Sequence, residues 1–298
     1  MTIPHENTRP APTSAPMQPS ESERRTARAD VTARMLNKVP QVTIFFWIVK
    51  ILSTTVGETG ADLLSSSLHW GLTITTWVMT GILLVALVIQ FRTRRYVPSA
   101  YWFTVVLVSI VGTLFTDNLV DHLGVPLLTA TILFAVALGA TFIAWFAAER
   151  TLSIHTIVTT RRETFYWLAI LFTFALGTAA GDFLAEGLDL GYSVAGLVFA
   201  GMIVLVAIAH YVFRMNGVVS FWLAYILTRP LGASLGDYLS QSQRNGGLGL
   251  GTIGTSAVFL TVIVVVVASF TVIERRAHAV RKTSRPVALR DGASLAEG

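Results

Sequence analysis

The sequence predicts an all-α fold: a polytopic membrane helix bundle of about eight transmembrane helices, arranged as four parallel helical-hairpin repeats. Three observations predict it. The 298-residue chain is 53% hydrophobic and only 13% charged, with a mean hydropathy of +0.64, whereas a soluble domain carries roughly 25% charge. Apolar runs recur at lengths that match a bilayer core, which needs about 20 helical residues. One tryptophan-centred pattern returns four times. The composition excludes an ordinary soluble enzyme. The absence of cysteine excludes disulfides, thiolate zinc sites, Fe–S clusters and cysteine nucleophiles.

Residues 1–41 are rich in Pro, Ser, Thr and Arg and hold no apolar run, so they read as a disordered cytoplasmic tail, with a loose surface helix over residues 21–38 at most. The Arg24-Arg25 doublet lacks the apolar segment and cleavage site of a twin-arginine signal. Eight spans follow, over residues 42–64, 71–91, 99–119, 125–146, 164–185, 192–213, 219–239 and 251–273. The ~10-residue alternating segments of a transmembrane barrel are missing, which leaves helices. Paired, the spans make a membrane domain over residues 42–274, with repeats at about 42–95, 98–160, 163–215 and 218–274. Residues 275–298 form a second, basic cytoplasmic tail.

The basic residues orient the bundle. Six Lys/Arg lie in each tail, and seven more follow the second, fourth and sixth spans: Arg92, Arg94, Arg95, Arg150, Arg161, Arg162 and Arg214. Only Arg244 sits in a loop on the opposite side. The positive-inside rule then places both termini in the cytoplasm. Membrane orientation, with some attraction to anionic lipid, accounts for a pI near 9.8 and removes the case for nucleic acid.

The repeat is the strongest signal. Phe46-Trp47, Tyr101-Trp102, Tyr166-Trp167 and Phe221-Trp222 are each followed by a glycine ten residues after the Trp: Gly57, Gly112, Gly177 and Gly232. Five residues later stands an aspartate: Asp62, Asp117, Asp182 and Asp237. With two spans per unit, all four repeats enter the membrane in the same sense, about an axis along its normal. These residues resemble a bacterial family of uncharacterised integral membrane proteins with four tandem repeats, each of two transmembrane helices and a characteristic Trp. The resemblance implies architecture over nearly the whole chain except the tails. It implies no activity.

Helix geometry places each Asp roughly 22 Å above its Trp with an angular offset of about 60°. On this geometry Trp47, Trp102, Trp167 and Trp222 are interface anchors, and the four glycines admit a neighbouring helix. The aspartates either cap the hairpin loops or form a carboxylate ring around a common axis. A carboxylate within a span costs about 2.5–3.5 kcal/mol on insertion scales and normally faces a bundle interior or an aqueous cavity. Glu58, Asp121 and Glu186 stand four residues from a motif Asp on the same helical face, and Gln241 takes that place in the fourth repeat. His69 and His122 are solvated loop residues first and imidazole ligands only second. Lys50 and Arg229 sit inside spans, with Lys50 expected to snorkel and Arg229 to act as counter-charge beside a helix break at Thr228-Arg229-Pro230. Thr54, Thr55, Ser109, Thr173 and Thr228 lie midway along the first helix of each repeat, where hydroxyls most often bond the preceding turn. His210 reads as a packed residue.

The expectation is an inner-membrane transporter or channel-like protein for a small cation, a divalent metal included. Its ion-binding residues would be Asp62, Asp117, Asp182, Asp237, Glu58, Asp121, Glu186 and Arg229. Acid rings attract cations and suit hard ions. The rival is a structural or sensory membrane protein. No cofactor is called for, no nucleophile–base pair suggests an enzyme, and the partners are the bilayer and the cation, with homo-oligomer formation open.

Overall fold

The computed structural model describes Ser20 and residues 37–243 and 247–283, with side chains as far as Ser269. The expected tail helix, most of both tails and Arg244 lie outside the described residues. Eight long helices occupy the rest: α1 (Ile44–Asp62), α2 (Leu72–Arg92), α3 (Pro98–Asp117), α4 (Leu127–Glu149), α5 (Thr160–Asp182), α6 (Tyr192–Tyr211), α7 (Gly217–Ser240) and α8 (Thr252–Thr283). No strand occurs among the described residues. The spans expected from the sequence agree with these helices to within a few residues. The exception is α8, which runs ten residues past its expected end.

Local chemistry starts the helices where they start. The side chains of Thr43 and Thr159 accept from the backbone N–H of Phe46 and Arg162, and Asn216 accepts from Val218 and Val219. Pro98 opens α3, where a missing N–H costs nothing. Gly71 and Gly191, at φ +75°, turn the chain into α2 and α6, a conformation that a Cβ would strain.

Seven helices are long and apolar enough to cross a membrane. The eighth, α1, carries Lys50, Glu58 and Asp62, and most of its residues are buried. Helices α1, α3, α5 and α7 form a closed inner ring, each packing on the next and α7 on α1. Burial separates the two layers. Between 50% and 67% of the apolar windows of α3, α5 and α7 is buried, against 17–22% for α2, α4, α6 and α8, which face lipid.

The outer helices do not fold back as hairpins on their own partners. Instead α2 packs on α3, α4 on α5, α6 on α7, and α8 closes the circle on α1, while the two helices of one repeat have little mutual contact. Each repeat is thus clasped to the next. Ser256 bonds Thr59 at 2.7 Å across the α8–α1 closure.

The motif glycines set the ring. A Cβ on Gly57 would overlap Ser109, on Gly112 Phe174, on Gly177 Arg229, and on Gly232 Thr54. Each intruder stands three residues before the next repeat's glycine, so one close contact recurs around the circle. The aromatic pairs repeat it one layer away. Trp102 packs on Phe46 (5.7 Å between centroids), Trp167 on Tyr101 (5.6 Å), Trp222 on Tyr166 (6.3 Å) and Trp47 on Phe221 (5.7 Å). Trp102, Trp167 and Trp222 are buried. These three tryptophans are therefore a packing girdle inside the ring, and the expected lipid-interface anchor does not describe them, while Trp47 is half-buried.

Candidate functional site: an acidic cavity closed by an arginine

After its Asp, each of the first three inner helices widens into a π-helical turn: Leu63–Ser67, Asn118–His122 and Phe183–Gly187. The bonds Leu68 N–H to Leu63 O, Leu123 N–H to Asn118 O and Leu188 N–H to Phe183 O, at 2.9–3.0 Å, mark the same geometry three times. Such turns frequently accompany functional sites. Here they frame the acidic end of the ring, where Ser65, Asp121 and Glu186 of the three turns line an opening.

The opening leads into a cavity of about 210 Å³. Asp62, Asp117, Asp182 and Asp237 all line it, together with Glu58, Asp121, Glu186 and Gln241. Asp237 is buried, Asp62, Asp117 and Asp182 are half-buried, and Asp121 and Glu186 are exposed at the rim. The aspartates are not caps: Asp62, Asp117 and Asp182 make no side-chain capping bond. Tyr192 donates to Glu186 at 2.7 Å. His69 and His122 do not line the cavity; His69 Nδ1 meets Ser67 O at 3.0 Å.

Arg229 lies beneath the floor, behind the lining residue Glu58. Fully buried, its Nη2 pairs with Glu58 Oε2 at 2.8 Å and also bonds the hydroxyls of Thr113 and Thr178, the latter at 2.6 Å. Its Nη1 donates to Thr54 O at 3.2 Å. Glu58, Thr113 and Thr178 each directly follow a motif glycine, so three repeats converge on the arginine of the fourth. The ring's interior thereby holds a buried ion pair, in which the Arg229 Nε has no hydrogen-bond partner among the described residues, and a buried guanidinium needs the partners it has to offset its desolvation. The charge that Arg229 meets directly is that of Glu58.

Beyond the floor the ring is closed. Phe174 lies between Arg229 (5.4 Å) and Lys50 (4.4 Å), and Lys50 also stands 4.2 Å over Tyr225. Lys50 is fully buried, and its ammonium has no hydrogen-bond acceptor among the described residues. The expected snorkelling is overturned: the cation–π faces hold Lys50 in the ring interior. Tyr101 and Tyr166 share a hydroxyl bond beside Tyr225. At the basic end Lys38, already buried, pairs with Glu163 at 2.6 Å and donates to Phe91 O.

Pro230 does not break α7, which is continuous over Gly217–Ser240; it packs against Gly177. Thr54, Thr55 and Thr228 bond backbone carbonyls, as hydroxyls in helices commonly do. Ser109 is wedged at Gly57, and His210 bridges to Ser220 at 3.0 Å, a packed residue. Sequence reasoning missed Thr113 and Thr178. Their signal was available: both share the register of Glu58, one residue after the motif glycine.

Among the described residues no group of three His, Asp or Glu side chains is placed to hold a metal ion. The acids surround a space rather than a point.

Fold and site together define a multi-pass α-helical membrane protein in which four tandem repeats enclose one acidic cavity. The chain belongs to the family described as Repeat of Unknown Function (DUF347), which matches residues 45–96, 100–151, 165–216 and 220–276. No curated protein and no solved structure matches it significantly.

Proposed function

We propose that the protein is a bacterial inner-membrane carrier for a small cation and not an enzyme. Its basic end and both termini face the cytoplasm, and the acidic cavity opens to the other side. One observation carries the reading. Four aspartates at one repeat position meet in one cavity and, among the described residues, form no hydrogen bond or ion pair there. Carboxylates kept unpartnered within a bundle are expensive and mark ion pathways. The closed floor favours a carrier over an open channel, because passage requires the Arg229–Glu58 pair to part or the ring to rearrange.

The test is cation flux into proteoliposomes for the wild type and for Asp62→Asn, Asp117→Asn, Asp182→Asn and Asp237→Asn. Flux that falls in all four variants, with normal insertion, supports the reading. Flux unchanged by the four substitutions rejects it in favour of a structural or sensory protein.

A further inference from the structure

Within that carrier reading, the cavity also carries information on what kind of cation it takes. A hard metal ion requires six or more oxygen ligands drawn in to about 2.0–2.6 Å. The described acids do not cluster that closely. They stand around about 210 Å³, which is room for about seven waters at ~30 Å³ each. A second observation points to a ligand: Asp237 is 5% exposed, lines the cavity, and its carboxylate has no hydrogen-bond or ion-pair partner among the described residues.

The wall is rich in acceptors, so its complement is a cation bearing several N–H donors, which an ammonium or guanidinium supplies and a dehydrated metal ion does not. Leu72, Val120 and Leu127 add a small apolar strip that a short alkyl group can meet. The ring already accommodates this chemistry beneath the floor, where the Arg229 guanidinium rests on a carboxylate and two hydroxyls with the Phe174 face 5.4 Å away.

We propose that the acidic cavity binds a compact organic cation of the alkylammonium or guanidinium class, held by Asp237 and the facing Asp62, Asp117 and Asp182, in place of a dehydrated metal ion. The experiment is calorimetric titration of the purified full-length protein in detergent with methylguanidinium, ethylammonium and, separately, Mn²⁺. Saturable binding of an organic cation is expected, weakened about tenfold or more by Asp237→Asn and by Asp117→Asn, as loss of a charged hydrogen bond implies. Asp189→Asn, which leaves the cavity wall intact, is expected to bind like the wild type. Thermal unfolding of each variant separates lost binding from lost fold. Aspartate-dependent binding of Mn²⁺ without organic cations overturns the substrate class and leaves the carrier reading standing. Binding of none of the three probes overturns the class, while the flux series decides the carrier reading independently.

Discussion

Arg229 is the residue on which the ring interior depends. It is fully buried, and its partners come from the other three repeats. Removing one partner of such a pair leaves an uncompensated buried charge, a loss of about 3–5 kcal/mol. Arg229→Met is therefore expected to lower the thermal unfolding midpoint sharply in detergent, and a Glu58→Gln/Arg229→Met double variant to recover much of it. If the double variant is as unstable as the single, the pair is not what holds the floor. Thr113→Val and Thr178→Val each strip one acceptor from the guanidinium, and are expected to cost about 1–3 kcal/mol by the same measurement. The sequence disclosed the charges of Arg229 and Glu58 but not their pairing. They stand 171 positions apart, and only closure of α7 onto α1 brings them to 2.8 Å. The interior position of Lys50 is hidden from the sequence for a related reason. Three residues past a Trp implies an interface only if the Trp faces lipid, and here the aromatic pairs turn inward.

At the scale of the element, one close contact recurs in all four inner helices. Gly57, Gly112, Gly177 and Gly232 each face a side chain that a Cβ would overlap, whereas Gly139 of α4 faces open space. Valine at any of the four is expected to destabilise by about 1–3 kcal/mol or more through overpacking. Gly139→Val is expected to unfold close to the wild type in the same melt, and a matching loss there would refute the contact as the cause. The helices and their motif register were legible because hydropathy and spacing are local properties. The pairing of outer helices was not. A short loop implies an antiparallel hairpin, yet each outer helix clasps the next repeat. The chain has no cysteine, so an introduced pair reports this cleanly. Gly196 of α6 and Ser234 of α7 are placed for a disulfide, because a Cβ on Gly196 lies 3.6 Å from the Ser234 Cβ. Gly196→Cys/Ser234→Cys is expected to form an intramolecular disulfide under mild oxidation, seen as a mobility shift on gels. Failure to link would reject the clasp between the third and fourth repeats.

For the whole molecule, the clasp makes four repeats one closed object, since α8 seals α1 as each earlier outer helix seals the following inner one. That closure turns four separate aspartates into one cavity, with π-helical turns opening it at one end and Arg229, Phe174 and Lys50 closing it at the other. The four-fold spacing of Asp62, Asp117, Asp182 and Asp237 already implied a shared depth. The cavity's floor depends instead on residues that differ between repeats at one register, Thr54, Ser109, Phe174 and Arg229, where no repeat pattern exists to read. The proposed carrier requires a single acidic chamber, open to one side, that draws cations in. The most direct measurement replaces each motif Asp singly by Cys and follows its reaction with membrane-impermeant thiosulfonate reagents, cationic and anionic, added from either side. All four positions are expected to react from the same side only, with the cationic reagent about tenfold or more faster because the remaining carboxylates concentrate it. Reaction from opposite sides, or equal rates for the two charges, would contradict the account.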